Sequence, residues 1–232
     1  MAQPTFDWTW IDTIWCINLA ERPDRKAHML DVAKRLDLPL TFYHPTRHPK
    51  GGEQGCWESH IACLRQAYQR GDRLTLILED DAVPTRDLTP AALDRVRDAL
   101  QGKWYLLFLG YVPDIRHTSL KRISPGIYQG HFLQAHAYIA SRAFMKRILT
   151  MEYFGIGWDY FLSTFPAYGV YPILFEQSSS PSDISEFPMT RFRPWMSHVV
   201  VEWAVHVGGT VIMVLVAIIA ILAIALVIVV ST

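Results

Sequence analysis

Three consecutive carboxylates, Glu79, Asp80 and Asp81, directly follow the short, largely apolar run at residues 74–78. Such a run, entered from a turn at residues 70–72, predicts a strand that is buried on both faces, as in a parallel sheet covered by helices. The three carboxylates then lie at the carboxyl end of the strand. In open α/β sheets that edge is where ligands bind, because the loops leaving it form a crevice.

The charge of this acidic cluster indicates a metal site. Adjacent carboxylates repel one another, so packing them together costs stability unless a cation or strong hydrogen-bond donors compensate. A hard divalent ion, Mg²⁺ or Mn²⁺, is the obvious candidate. The alternative is that the acids start a solvated loop or cap the next helix, and the rest of the chain has to distinguish these two interpretations.

Alternating strand and helix patterns place the acidic cluster in one α/β domain, which we expect to span residues 1–190 with a mainly parallel sheet. We predict strands at residues 13–17, 41–43, 74–78, 104–109, 132–140 and 170–175, and helices at 23–36, 56–68, 90–100, 142–149 and 155–162. Residues 111–130 are irregular and polar, which is typical of a loop over the crevice or of a small hairpin.

Charge and hydropathy are unevenly distributed along the 232 residues. The 22 basic residues balance the 22 acidic ones, so the charge gives no reason to expect a nucleic acid as a partner. Residues 207–230 contain no charged side chain and are long enough to cross a bilayer core of about 30 Å as one helix. We therefore predict a transmembrane helix at 207–230, joined to the domain by a juxtamembrane segment at 191–206.

The predicted helix is followed by only two residues, which is typical of a single-pass tail anchor. The first residues show neither a cationic stretch nor a sustained apolar core, so we expect no secretory signal. Arg191 and Arg193 precede the helix, and the positive-inside tendency favours a cytoplasmic domain. Three cysteines without a dense disulfide pattern fit a reducing compartment.

Cys56, His60 and Cys63 share one stripe of the predicted helix 56–68, at spacings of four and three residues. A structural zinc site uses four ligands, usually from more than one element, and the sequence has no second cysteine pair. Cysteines on the buried side of a helix are therefore the preferred interpretation.

Three further charged residues stand at the ends of predicted elements. Arg22 and Arg25 flank the turn after the first strand, where they could meet a diphosphate or form ordinary solvated surface. Asp159 lies near the start of helix 155–162, and its simplest interpretation is an N-cap.

Four separated motifs occur in an order that is typical of a known enzyme family. They are Ile17-Asn18-Leu19 with Arg22 and Asp24-Arg25, then Gly52-Glu53-Gln54-Gly55-Cys56 with Ser59-His60, then Ile77-Leu78-Glu79-Asp80-Asp81-Ala82, and finally His136-Ala137-Tyr138 with Ser141-Arg142. Weaker similarities follow at Trp158-Asp159 and Ser182-Asp183-Ile184. Together they resemble glycosyltransferase family 25, the lipopolysaccharide and procollagen galactosyltransferase-like enzymes, over most of residues 11–186. The short irregular regions and the C-terminal anchor depart from the family's usual pattern.

The resemblance implies a GT-A fold, which is a nucleotide-sandwich α/β domain, and a sugar-nucleotide donor. It aligns the acidic cluster with the family's Asp-x-Asp-like motif, in which we expect Asp81 and Glu79 to bind Mn²⁺ or Mg²⁺ and Asp80 to contact the donor. The other donor-binding residues that the motifs imply are Asn18, Arg22, Arg25, Glu53, His60 and His136.

The predicted activity is the transfer of a hexose, galactose or glucose, from a UDP-sugar to a hydroxyl on a glycan, a lipid-linked sugar or a protein. The resemblance implies inversion at the sugar carbon, and an inverting transfer needs a base near the acceptor hydroxyl. Asp159 is the candidate for that base. The alternative function is a catalytically inactive sugar-nucleotide-binding or scaffold protein at a membrane, and the presence of all three acids argues against it.

Overall fold

The computed structural model describes residues 5–99, 104–114, 116, 120–178, 200–202 and 204–205. Strands and helices alternate in the first half of the chain, and strands dominate the second half. In chain order the elements are β1 (Thr13–Ile17), α1 (Pro23–Leu36), β2 (Leu40–Tyr43), α2 (Gly52–Arg70), β3 (Leu74–Glu79), β4 (Ala82–Pro84), α3 (Pro90–Ala99), β5 (Leu106–Pro113), β6 (Lys121–Ser124), β7 (Ile127–Gly130), β8 (Phe132–Ser141), α4 (Arg142–Ile148), α5 (Trp158–Leu162), β9 (Ala167–Val170) and β10 (Phe175–Gln177).

A central sheet of eight strands has the order β2-β1-β3-β8-β5-β9-β7-β6. β1 pairs in parallel with β2 and β3, and β5 pairs in parallel with β9. β8 lies antiparallel between β3 and β5, and β7 is antiparallel to both β9 and β6. Within the described residues, six strands of this sheet thus run in one direction and β7 and β8 in the other. The predicted α/β class with a mainly parallel sheet is confirmed, although the strand pairing is mixed.

A second sheet of two antiparallel strands, β4 and β10, begins directly after the acidic cluster. β4 was not predicted, because three residues carry too little pattern to be recognised. The strand predicted at 170–175 is wrong in its extent, since β9 ends at Val170 and β10 starts at Phe175. Of the two alternatives predicted for residues 111–130, a loop over the crevice or a small hairpin, the structure shows the hairpin, formed by β6 and β7.

Side chains that alternate along β1 and β3 divide the core into two layers. Cys16, Leu76 and Leu78 face a layer covered by α1 and α3, whereas Trp15 and Ile77 face a layer covered by α2, α4 and α5. This is the two-residue periodicity of a strand that is buried on both faces, as the apolar run predicts.

The ends of α1 and α2 are set by residues with special backbone preferences. α1 starts at Pro23, with Asp24 in its first turn, and ends at Leu36, after which Asp37 forms the C-cap with φ 49°. α2 ends at Arg70, after which Gly71 forms the C-cap with φ 92°, but it starts at Gly52, four residues earlier than predicted. The additional turn matters for the site, because it carries Glu53 into the helix.

The predicted transmembrane helix at 207–230 lies outside the described residues, as does most of the juxtamembrane segment. Among the residues that the structure describes, no helix is both long enough and apolar enough to cross a membrane.

His136 lies in the core beside Gly110 of the neighbouring strand. Its side chain is fully buried, and Nε2 donates to the Phe175 carbonyl oxygen at 3.3 Å. A Cβ atom at Gly110 would overlap with both His136 Nε2 and that carbonyl oxygen. The absence of a side chain at Gly110 therefore makes room for the imidazole and for the approach of β10.

We expect Gly110→Ala to lower the free energy of unfolding by about 3 kcal/mol, because the backbone oxygen that meets the new methyl group cannot rotate away. Gly71→Ala is the control. A Cβ atom at Gly71 would meet no other atom within 4 Å, so this variant has only the cost of placing alanine in a left-handed backbone conformation, about 1 kcal/mol. Chemical denaturation of the 232-residue chain measures both, and equal losses would contradict this account of the β5 to β10 contact.

Candidate functional site

A cleft with a volume of about 490 Å³ opens at the carboxyl ends of β1 and β3. Its walls come from these strand ends, the first turn of α1, the loop at residues 45–48, the first turns of α2, the start of β8, the start of α5 and the end of β10. The three acidic residues of the cluster all line it. The cleft thus lies at the sheet edge at which the sequence predicts a ligand site.

The alternation of side chains along β3 separates the acidic residues. Glu79 continues the face of Ile77 and meets His60 of α2, while Asp80 continues the face of Leu78 and meets α1. Two adjacent negative charges are therefore directed into different layers, where each finds its own partner.

Asp80 is held by two donors that the sequence motifs identify. Asn18 Nδ2 donates to Asp80 Oδ2 at 2.8 Å, and Arg25 Nη1 donates to Oδ1 at 2.6 Å. Asn18 also donates to the Arg22 carbonyl oxygen at 3.0 Å, which fixes the turn between β1 and α1. Burial raises the pKa of Asp80, and the charge of Arg25 with the Asn18 hydrogen bond opposes that rise.

Arg25 is shared by two of the carboxylates. Its Nη1 lies 3.7 Å from Asp81 Oδ2 as well as 2.6 Å from Asp80 Oδ1. The Arg25 side chain is 11% exposed, so this ion pair is screened far less than one on the surface. A fixed positive charge is thus part of the cleft wall.

His60 is fully buried and oriented by three neighbours. Nδ1 lies 3.0 Å from the Tyr138 hydroxyl, Nε2 lies 3.3 Å from Glu79 Oε1, and the ring stacks on Trp158 with 4.8 Å between centroids. Burial lowers the pKa of His60 to about 3, so the imidazole is neutral near pH 7. Because an ionised carboxylate can only accept, Nε2 carries the hydrogen and Tyr138 donates to Nδ1.

Cys56 completes a cluster that the sequence pattern did not predict. Its Sγ, a ring nitrogen of His60 and a carboxylate oxygen of Glu79 lie within 4.8 Å of one another. Burial, followed by the negative charge of Glu79, raises the pKa of the Cys56 thiol well above its ordinary value. Cys63, the other cysteine of the sequence stripe, is instead fully buried in the core.

Asp159 lines the same cleft from the first turn of α5. The N-cap interpretation is wrong, because Gly157 occupies that position and Asp159 Oδ1 instead accepts from the Ala135 backbone N–H at 2.9 Å. Gln134 has φ 67°, and the pairing of β5 with β8 shifts its register nearby. This irregularity in β8 turns the Ala135 N–H towards Asp159, as bulges near sites often do.

The structure brings together seven of the ten predicted site residues as cleft-lining side chains: Arg25, Glu53, His60, Glu79, Asp80, Asp81 and Asp159. Asn18 does not line the cleft, but it donates a hydrogen bond to Asp80, which does. Arg22 pairs with Asp24 at 2.8 Å and does not line the cleft, and neither does His136 in the core. Gln134, Tyr160 and Gln177 line the cleft without a sequence signal, because long-range chain pairing places them there.

The donor atoms in the cleft suit a divalent cation. Glu79 and Asp81 offer carboxylate oxygens, the ligands that Mg²⁺ and Mn²⁺ prefer. Both Asp80 oxygens already accept hydrogen bonds from Asn18 and Arg25, so Asp80 suits that role less.

Comparisons with known proteins give only distant similarities. No protein-family model matches the chain, and no curated protein matches it at a significant level. Among solved structures, A197 from STIV has a TM-score of 0.47 at 14% identity, covering 71% of this chain and 84% of that one. Mannose-1-phosphate geranyltransferase from Thermus thermophilus has a TM-score of 0.39 at 11% identity, covering 70% of each chain. UDP-glucose pyrophosphorylase complexed with UDP-glucose has a TM-score of 0.42 at 6% identity, covering 71% of this chain and 74% of that one. All three TM-scores lie below 0.5, so these similarities assign no function to the chain.

We expect Arg25→Gln to lower the free energy of unfolding by about 3 kcal/mol, because it leaves the buried Asp80 carboxylate without its cation. The control is Arg35→Gln, which removes an exposed ion pair to Asp31 and costs less than about 1 kcal/mol. Urea denaturation measures both, and the double variant Arg25→Gln/Asp80→Asn should recover part of the loss. Equal effects of the two arginine variants would contradict the assigned role of Arg25.

Proposed function

We propose that the chain is a metal-dependent glycosyltransferase that moves a hexose, galactose or glucose, from a UDP-sugar to an acceptor hydroxyl. The observation that carries this proposal is the convergence of Glu79, Asp81, Arg25 and Asp159 on one cleft at the carboxyl end of β3. Its volume of about 490 Å³ is within the range of pockets for small-molecule ligands.

The charges of the cleft suit the departure of a nucleoside diphosphate. A leaving diphosphate gains negative charge, and a divalent ion held by Glu79 and Asp81 would stabilise that charge as a Lewis acid. Arg25 supplies a second positive charge, which its contacts with Asp80 and Asp81 hold in place before a substrate binds. A preorganised charge of this kind needs little reorganisation during the reaction.

Asp159 is the proposed general base for the acceptor hydroxyl. It lines the cleft, and the Ala135 N–H fixes the orientation of its carboxylate. In the transfer, the acceptor oxygen forms the new bond to the sugar carbon, the bond from that carbon to the diphosphate breaks, and Asp159 takes the hydroxyl proton. Inversion at the sugar carbon is the outcome that we propose from the resemblance.

The finer parts of the proposal are supported by the sequence motifs. Membership of glycosyltransferase family 25 and a UDP-hexose donor are supported by the motifs around Asn18, Glu53, Asp80 and His136. A membrane tether at residues 207–230 is supported by their uncharged composition. Such a tether would favour an acceptor that is itself bound to a membrane or displayed close to one.

The test is release of UDP from a panel of UDP-sugars by the full-length chain in detergent, with Mn²⁺ and with a chelator. We expect release that requires the metal and rises when an acceptor is present. Asp81→Asn should lower the rate by at least about 10²-fold through weaker stabilisation of the leaving group. Asp159→Asn should lower transfer by about 10²-fold or more and leave UDP binding unchanged.

Asp98→Asn, an exposed change on α3, is the matched control and should keep full activity. The proposal fails if no UDP-sugar is bound or turned over under any metal condition. If the Asp159→Asn variant transfers the sugar at the wild-type rate, Asp159 is not the base, but the transferase assignment still stands.

A further inference from the structure

We propose that Cys56, His60 and Glu79 form a binding site for a thiophilic divalent cation, of which Zn²⁺ is the representative. This inference concerns cation binding alone and does not depend on the proposed glycosyl transfer. It shares Glu79 with the proposed Mg²⁺ or Mn²⁺ site of the acidic cluster and differs from that site because it recruits a thiol and an imidazole.

The backbone brings the three donors together from two elements. Cys56 and His60 are four residues apart on α2 and therefore lie on the same helix face, while Glu79 ends β3. Their ligand atoms all lie within 4.8 Å of one another. Ligand atoms of a tetrahedral zinc ion lie roughly 3.3–3.6 Å apart, as its bond lengths dictate. A side-chain movement of about 1 Å would therefore close the site around an ion.

The chemistry of the donors selects the class of ion. A sulfur, an imidazole nitrogen and one carboxylate oxygen suit Zn²⁺ or Co²⁺, whereas Mg²⁺ and Ca²⁺ prefer oxygen ligands throughout. Three protein ligands leave a fourth coordination position, which is the arrangement of zinc sites that bind an exchangeable ligand. All three residues line the cleft, so a cleft ligand or water can reach that position.

The surroundings of His60 are those of a positioned metal ligand. Its Nδ1 contacts the Tyr138 hydroxyl at 3.0 Å, and its ring stacks within 9° of the plane of Trp158. These contacts direct Nε2 towards Glu79, at 3.3 Å from Oε1. In metal sites, a hydrogen bond to the non-ligating nitrogen fixes the ring and its tautomer in the same way. With an ion on Nε2, Tyr138 would accept the Nδ1 hydrogen instead of donating to Nδ1.

The test is a Co²⁺ titration of the untagged, metal-stripped full-length chain in detergent, followed by absorption spectroscopy. We expect a thiolate-to-cobalt charge-transfer band that saturates at one Co²⁺ per chain and disappears when Zn²⁺ is added. Cys56→Ala should lose the band, and Cys63→Ala, the matched control on the same helix, should keep it. Glu79→Gln should keep the band but lower the Co²⁺ affinity by at least about tenfold.

Circular dichroism shows whether each variant is folded, and Cys56→Ser provides a second, closer variant if Cys56→Ala is not. Absence of the band in the wild-type chain, or its persistence in a folded Cys56 variant, would overturn the proposal. Release of UDP in the presence of Mn²⁺, measured on the same preparations, separates this inference from the proposed function. A cobalt band without sugar-nucleotide turnover would contradict only the transferase, and turnover without the band would contradict only the thiophilic site.

Discussion

A buried strand that ends in three carboxylates can fold only if each negative charge receives a partner. The structure meets this constraint by directing Asp80 and Glu79 into opposite layers of the fold. Arg25 and Asn18 compensate Asp80 from α1 and from the end of β1, and His60 meets Glu79 from α2. The contacts that stabilise the acids therefore also tie three elements together at one edge of the sheet. Because a change at any partner exposes an uncompensated charge, the stability of this edge and the geometry of the cleft depend on each other.

The same arrangement prepares the cleft for a charged ligand. Side chains that are locked by packing and hydrogen bonds lose little freedom when they bind, which favours affinity and catalysis. Arg25 is held by two carboxylates, Asp159 by a backbone N–H, and His60 by Tyr138 and Trp158. The proposed Cys56 site adds a softer donor next to the oxygen donors. The cleft would thus bind Mg²⁺ or Mn²⁺ through its oxygen donors and a thiophilic ion through Cys56 and His60.

Local patterns were sufficient to predict the elements that carry the acidic cluster. The apolar run of β3, the bounds of α1 and the start of α4 were all predicted, because each depends on neighbouring residues. The antiparallel position of β8 beside β3 and the pairing of β4 with β10 were not predicted, because these strands pair with strands that are far away in the sequence. The same limitation determines which parts of the candidate site could be predicted. Arg25 and His60 were predicted to lie in it, whereas the placement of Glu79 beside Cys56 and of His136 in the core depends on which strands are neighbours.

A crystal structure of the full-length chain with Mn²⁺ and a UDP-sugar, with data collected at the manganese absorption edge, tests the central claim most directly. The account predicts an anomalous peak in the cleft at carboxylate oxygens of Glu79 or Asp81, with the diphosphate next to it and within reach of Arg25. A diphosphate bound outside this cleft, or an ion that contacts neither carboxylate, would contradict it.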